Sequence, residues 1–278
     1  MSTVVHTMPA LIRHETDMQM FRQCLSSLER AERRAVLVLH NQGMLTNDRL
    51  LETASSFELD AHVIGGGENV GIPAARQACF EYVWQHIPDC AYITEIHPDM
   101  LFPAGWTAPL QAFLQKRPQE PCVCPGILTA AGEWHPEGKG VRSAAVPSSI
   151  PELLALLNES RRDEATEGFV HPVMHRSEAL RAVGGYRLED LPGKQGYEDD
   201  YLLLAYYHEL RLPKGWSPKA DLRSRVFHYT MAQRMDYSDL NEQAGLNLQG
   251  LLRRFGTQGL HDLKNIHALP SFPMGGSV

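Results

Sequence analysis

Ala35-Val36-Leu37-Val38-Leu39-His40, followed by Asn41-Gln42-Gly43, is the stretch that decides the fold. A short run of Val and Leu that ends in a turn signal reads as a strand buried on both faces. Before it, residues 15–33 place Met18, Phe21, Leu25 and Leu28 on one stripe, the spacing of an amphipathic helix, and residues 2–6 read as a short strand. After it the alternation continues: helix 47–56, strand 61–64 ended by Gly65-Gly66-Gly67, helix 72–87 stopped by Pro88, strand 91–94, helix 106–116 and strand 121–127. Strands alternating with helices predict an α/β fold, a mainly parallel sheet flanked by helices on both faces. In open sheets of this kind ligands bind beyond the carboxyl ends of the strands, here residues 40–41, 65–69 and 95–99.

The second half is less regular. Residues 128–148 are rich in Gly, Pro and small side chains and read as a long loop; 150–165 read as a helix, 169–175 as a strand, 177–183 and 198–211 as helices and 225–229 as a strand. Residues 231–267 read as mostly helical and 270–278 as a frayed tail. No linker stands out, so the expected organisation is one domain over 1–230 with a C-terminal helical appendage at 231–278.

Among the 278 residues, 26 Lys and Arg against 33 Asp and Glu give a formal charge of -7, with no Lys/Arg-dense block. Nucleic acid is therefore not expected as a partner. The five cysteines are odd in number and sit in apolar surroundings, which predicts reduced thiols in a cytoplasmic protein. Cys122 and Cys124 read as a buried pair on one strand face rather than a soft-metal site. The N-terminal residues lack a basic stretch followed by an apolar one, so no signal peptide is expected. No apolar run approaches the ~20 residues that span a bilayer, which leaves peripheral membrane contact open.

Three stretches carry candidate chemistry. Tyr92-Ile93-Thr94-Glu95-Ile96-His97-Pro98-Asp99-Met100 runs an apolar strand into three candidate ligands for a hard cation; the competing reading is a polar turn with Asp99 as a helix cap. Gly196-Tyr197-Glu198-Asp199-Asp200-Tyr201-Leu202 opens a helix with three acids. These either complement the helix dipole or supply a general base. Arg225-Val226-Phe227-His228-Tyr229 ends an apolar strand in a His that is either a hydrogen-bonded core residue or a ligand. Glu133-Trp134-His135 lies in the long loop, where Trp134 either stacks on a sugar or pins the loop to the core.

Taken in order, these segments resemble a family-2 glycosyltransferase. The family's strand-end motif Leu-Asn-Pro-Asp-Thr is similar to Ile96-His97-Pro98-Asp99-Met100, and its following Pro-x-Trp is similar to Pro103-Ala104-Gly105-Trp106, one residue longer. Its upstream Asn-x-Gly-x-x-x-Ala-Arg matches Asn69-Val70-Gly71-Ile72-Pro73-Ala74-Ala75-Arg76. Its Val-Gly-Gly-Tyr turn and Gly-Tyr-Glu-Asp-x-x-Leu match residues 183–186 and 196–202, and a late strand ending in His matches Phe227-His228.

The resemblance covers residues 2–230. It implies a GT-A fold, a Rossmann-related sheet with a nucleotide-sugar-binding half at 1–127 and an acceptor half at 128–230. It further implies an inverting transfer from a nucleotide-diphospho-sugar to an acceptor hydroxyl on a glycan, a lipid-linked glycan or another molecule. By the same resemblance Asp99 holds Mn²⁺ or Mg²⁺, with His228 and His97 as further metal ligands; Asp199 is the base and Glu198 assists it. Asn69, Arg76, Asn41 and His97 fall on the donor side. The chain departs from the family at His97, where an acid is usual, at His40-Asn41, where an Asp is common, and at Thr7-Met8-Pro9-Ala10, where Pro-x-Tyr-Asn is usual; the nucleotide base stays unassigned. Two rival readings are a sugar-phosphate nucleotidyltransferase, which would want a Gly-rich basic loop that residues 7–15 do not supply, and a non-catalytic nucleotide-sugar-binding module, against which Asp99 and Asp199 together speak.

Overall fold

A computed structural model describes residues 3–230 and 239–267. The expected alternation forms in order: β1 (Thr3–Ala10), α1 (Glu15–Ala31), β2 (Val36–Asn41), α2 (Asn47–Ser55), β3 (Asp60–Gly65), α3 (Ile72–His86), β4 (Cys90–Glu95). Then come β5 (Met100–Leu101), α4 (Thr107–Lys116), β6 (Cys122–Thr129), β7 (Trp134–His135), α5 (Ile150–Glu159) and β8 (Ala165–Glu167). The chain continues through β9 (Val173–Arg176), α6 (Ser177–Ala182), α7 (Glu198–Glu209), β10 (Lys219–His228) and α8 (Leu240–Ile266).

All ten strands join one sheet, ordered β3-β2-β1-β4-β9-β6-β10-β5, with β7 on β6 and β8 on β10. β3, β2, β1 and β4 run parallel, as do β6 and β10, while β9 lies antiparallel between β4 and β6. The halves 1–127 and 128–230 thus share a sheet. Side chains alternate across it as strand geometry requires. Leu37 and Leu39 of β2 face one core with Phe21 and Leu25 of α1, whereas Val38 faces the other with Cys79, Phe80 and Val83 of α3. The chain adds β2 and β3 on one side of β1 and then crosses to β4 on the other. That reversal opens a crevice at the carboxyl ends of β1 and β4, where open α/β sheets bind ligands.

Several boundaries differ from the sequence reading. The helix predicted over 150–165 stops at Glu159, and residues 165–167 form β8 on the early part of β10. Strand β10 begins at Lys219 rather than 225, because its charged residues are paired: Asp221 bonds Arg223, and Arg225 lies 2.6 Å from Glu137. The loop 128–148 contains β7, which folds back on β6 and places Trp134 against a small core of Leu101, Leu128, Leu153, Leu157 and Phe227. Arg225 covers the Trp134 ring at 4.8 Å, so Trp134 pins the loop to the core. All five cysteines are free and buried, and burial pushes the Cys124 thiol up to about 12. No helix among the described residues is long and apolar enough to cross a membrane. The tail read at 270–278 lies outside the described residues.

Helix α8 packs on α7 and on the loop before it. His267 lies 2.7 Å from Asp200, His208 3.2 Å from Asp262 and Arg254 3.1 Å from Asp190. Contact is closest at Gly250, where an added Cβ would lie 1.7 Å from the Asp190 carbonyl oxygen; at Gly245 it would meet nothing within 4 Å. Gly250→Ala should therefore lower stability by about 1–3 kcal/mol through overpacking. Gly245→Ala should raise it by up to about 1 kcal/mol through helix propensity. Urea denaturation of both variants checks the contrast.

Candidate active site

A cavity of about 580 Å³ lies beyond the carboxyl ends of β1, β4, β6 and β10. Asn69, Arg76, His97, Asp99, Asp199 and His228, read as candidates from the sequence, all line it. Asn41 and Glu198 are not among the described residues that do. The Asn41 carboxamide instead ties its own turn together, donating to the Leu45 carbonyl and to Asn47 Oδ1 at 2.8 Å and accepting from the Gly43 amide at 3.2 Å. Its neighbour Gln42 lines the cavity in its place. Glu198 is buried.

Arg76 organises the site. It lies one turn into α3 on the stripe shared by Cys79, Phe80 and Val83, and is almost fully buried. A guanidinium can occupy such a place only with partners. Its Nε lies 2.8 Å from Glu95 Oε2, one terminal nitrogen donates to His97 Nε2 at 2.6 Å, and the other reaches Asp199 Oδ1 and the Tyr186 hydroxyl at 3.4 Å. Glu95, at the end of β4, was grouped in the sequence with His97 and Asp99. It points instead toward α3, on the face that carries Ile93. There it also accepts from His175 Nε2 at 2.7 Å and from the Tyr186 hydroxyl at 3.0 Å, and Tyr206 donates to His175 Nδ1 at 2.8 Å. Burial alone would raise the Glu95 pKa; Arg76 first, then His175 and Tyr186, outweigh it and hold the carboxyl below its ordinary value.

His97, Asp99 and His228 bring one ligand atom each within 4.8 Å of one another. Pairing of β5 with β10 in antiparallel register sets this corner, matching Met100 with His228, and the Tyr229 amide donates to the Asp99 carbonyl at 3.1 Å. His228 Nε2 lies 3.3 Å from Asp99 Oδ1. A guanidinium only donates, so His97 Nε2 accepts from Arg76 and the ring's hydrogen sits on Nδ1. With His97 Nε2 engaged by Arg76, Asp99 and His228 are the nearest pair of candidate donors, and His97 completes the three-residue group. A carboxylate oxygen with an imidazole nitrogen suits Mn²⁺, and the carboxylate alone suits Mg²⁺.

Asp199 opens α7 on the opposite side of Arg76. Desolvation first, then the charge of Glu198, push its carboxyl well above the ordinary aspartate value, with Arg76 pulling the other way. His171 Nδ1 lies 3.5 Å from Asp199 Oδ2, and the His171 ring stacks on His97 with centroids 5.3 Å apart. Burial, followed by the charge of Arg76, lowers the His171 pKa well below its ordinary value, so this imidazole is neutral. Asp200 pairs with His267 of α8.

The sequence reading did not single out His171, Gln195 or Lys139, and it noted Glu133 and His135 only as neighbours of Trp134; all five line the cavity. In the hairpin Glu133 accepts from His135 Nε2 at 2.8 Å and from the Gly140 amide at 3.0 Å, closing a small turn. The available signals were the polar cluster at 133–139 in the loop and His171 beside a strand.

No protein-family model and no curated protein matches the sequence. Solved structures do. Staphylococcus aureus TarS 1-349 in complex with UDP-GlcNAc is 12% identical with a TM-score of 0.56, over 95% of this chain and 72% of that one. GalNAc-T7 with UDP, GalNAc and Mn2+ is 13% identical with a TM-score of 0.58, over 94% of this chain and 50% of that one. The fold is GT-A. A longer S. aureus TarS chain is matched over only 44% of its length, at 14% identity and a TM-score of 0.53. In the GT-A frame of this chain the strand-end acid Asp99 and the α7 acid Asp199 face one cavity from two sides of Arg76.

The buried Arg76–Glu95 pair yields a direct test. Glu95→Gln leaves the guanidinium without its closest counter-charge, and breaking such a pair costs about 3–5 kcal/mol. Chemical denaturation at neutral pH should show that loss.

Proposed function

We propose that the chain is an inverting glycosyltransferase that moves a sugar from a nucleotide-diphospho-sugar to an acceptor hydroxyl. The observation that carries this reading is the meeting of Asp99, His228 and Asp199 on one cavity at the sheet's reversal point. Among glycosyltransferases of the same fold, one was solved with UDP-GlcNAc and another with UDP and Mn2+, which favours a UDP-sugar donor and a Mn²⁺ cofactor. The free, buried cysteines fit the expected cytoplasmic location.

In this reading the diphosphate lies at the Asp99 corner, with Asn69 and Arg76 on the donor side. A divalent cation held by Asp99 and His228 would offset the negative charge of the departing nucleoside diphosphate. The raised pKa makes the Asp199 carboxylate a stronger proton acceptor than an ordinary aspartate. The acceptor's hydroxyl proton passes to the Asp199 carboxylate. Its oxygen bonds to the anomeric carbon from the face opposite the diphosphate, and the bond from that carbon to the diphosphate oxygen breaks. A single carboxylate acting on the acceptor gives inversion, because no glycosyl-enzyme bond is formed. The Arg76 guanidinium holds one Asp199 oxygen, and neutral His171 flanks the other at 3.5 Å.

Melting curves with UDP-, GDP-, dTDP- and CDP-sugars, each with Mn²⁺, Mg²⁺ or EDTA, test the binding half, since a ligand of the folded state raises Tm. One nucleotide should give a metal-dependent shift that Asp99→Ala abolishes and Asp199→Asn keeps. No shift for any nucleotide in the wild type would count against the transferase reading. With that donor, Asp199→Asn should lower turnover by on the order of 10²–10⁴-fold.

The pH profile tests the base. A carboxyl with a raised pKa is protonated, and unable to accept a proton, below that pKa. Turnover should therefore rise with pH through an inflection above the ordinary aspartate value of about 3.9. An inflection at or below that value would argue against Asp199.

A further inference from the structure

The segment 193–197 links Asp190, Leu191 and Pro192 to α7. It delivers Gln195 to the cavity and, two residues past its end, Asp199. It has no strand or helix of its own, and it ends in two consecutive left-handed residues, Gly196 at φ +95° and Tyr197 at φ +61°. The second is a backbone well that a non-glycine residue holds only when its surroundings fix it.

Those surroundings belong to α8. Asn247 is fully buried in the middle of that helix, where Asn is a poor helix former. Its carboxamide is used in full: Oδ1 accepts from the Gly193 amide at 2.6 Å, and Nδ2 donates to the Gly193 carbonyl at 3.2 Å and to the Gly196 carbonyl at 2.8 Å. One turn earlier, Gln243 Oε1 accepts from the Lys194 amide at 3.0 Å. On the other side of the segment, the Lys194 carbonyl accepts from the Ile72 amide at 2.7 Å, at the start of the helix that carries Arg76. The fit is close: a Cβ on Gly193 would lie 2.1 Å from the Gln243 carbonyl oxygen, and one on Gly196 would lie 2.7 Å from Ala244 Cβ.

We propose that Asn247 is a positioning residue for the transfer: its carboxamide fixes the 193–197 turn between α8 and α3, and so sets where Gln195 and Asp199 face the Asp99 corner. This rests on the base role proposed above for Asp199. It gives the C-terminal helix a part in the chemistry although no residue of α8 is among the described residues lining the cavity. Because the effect passes through a turn, its loss should appear in turnover rather than in donor binding. A displacement of about 1 Å in a reacting group can cost on the order of 10²-fold.

The test compares Asn247→Ala, Gln243→Ala and the control Gly245→Ala. It measures Tm, the donor- and Mn²⁺-dependent rise in Tm, turnover, and hydrogen–deuterium exchange of peptides covering 193–201. Asn247→Ala should lower turnover by on the order of 10- to 100-fold. Its donor-dependent Tm rise should match the wild type, and its faster exchange should be confined to the 193–199 amides. Gln243, being half-exposed, can be replaced without endangering the fold, and Gln243→Ala should show the same pattern more weakly; Gly245→Ala should match the wild type in turnover, in donor-dependent Tm rise and in exchange at 193–199, with its own Tm equal or slightly higher. Should Asn247→Ala fail to fold, Gln243→Ala decides the matter. Wild-type turnover and wild-type exchange at 193–199 in a folded variant would overturn the proposal, as would a loss that simply tracks global unfolding. If the wild-type protein turns over no nucleotide sugar, the transferase reading falls separately. Exchange then decides the holding role: local deprotection supports it, and unchanged protection overturns it.

Discussion

The site depends on one buried guanidinium. Arg76 sits where a helix packing on a sheet would ordinarily place an apolar side chain, and it is stable there because Glu95 neutralises it at 2.8 Å. Glu95 is in turn held ionised by His175 and Tyr186. With its charge matched from behind, Arg76 turns its two terminal nitrogens toward the cavity, one to His97 and one to Asp199. The same interaction fixes the His97 tautomer, restrains the Asp199 pKa and joins the end of β4 to the start of α7. A buried ion pair contributes little net stability relative to an apolar alternative. Its retention here is understandable as a device for orientation.

Much of this was legible in the sequence. The Val/Leu run at 36–39, with its Asn-Gln-Gly turn, predicted a parallel α/β sheet, and the strand-end rule directed attention to residues 95–99. Asp99 and His228 lie far apart in sequence, and the order of motifs placed both at strand ends; pairing of β5 with β10 brought them together. Glu95 was misgrouped because a list of adjacent acids and imidazoles ignores side-chain alternation, which turns Glu95 with Ile93 toward α3. The informative sign was Arg76 itself, a charged residue on the stripe of Cys79, Phe80 and Val83.

What stayed hidden depends on docking between distant elements. Gly193, Gly196, Gly250 and Asn247 look like helix-breaking or turn residues until α8 is laid against residues 190–196. The start of β10 was obscured by charges that find partners only through Glu137 and the Asp221–Arg223 contact. Residues 128–148 read as a loop because β7 is two residues long, too short to show a periodicity. His171 carried no motif, yet its stacking on His97 and its closeness to Asp199 make it a shared wall of both halves of the site.

A crystal grown with Mn²⁺ and a UDP-sugar that resists transfer would test the central claim most directly, through the anomalous signal of the manganese. The account predicts one Mn²⁺ bound by Asp99 and His228 and touching the diphosphate. It also predicts that Arg76 stays paired with Glu95 and that the Asp199 carboxylate lies across the anomeric carbon from the leaving oxygen. A manganese signal away from Asp99, or a nucleotide seated outside this cavity, would contradict it.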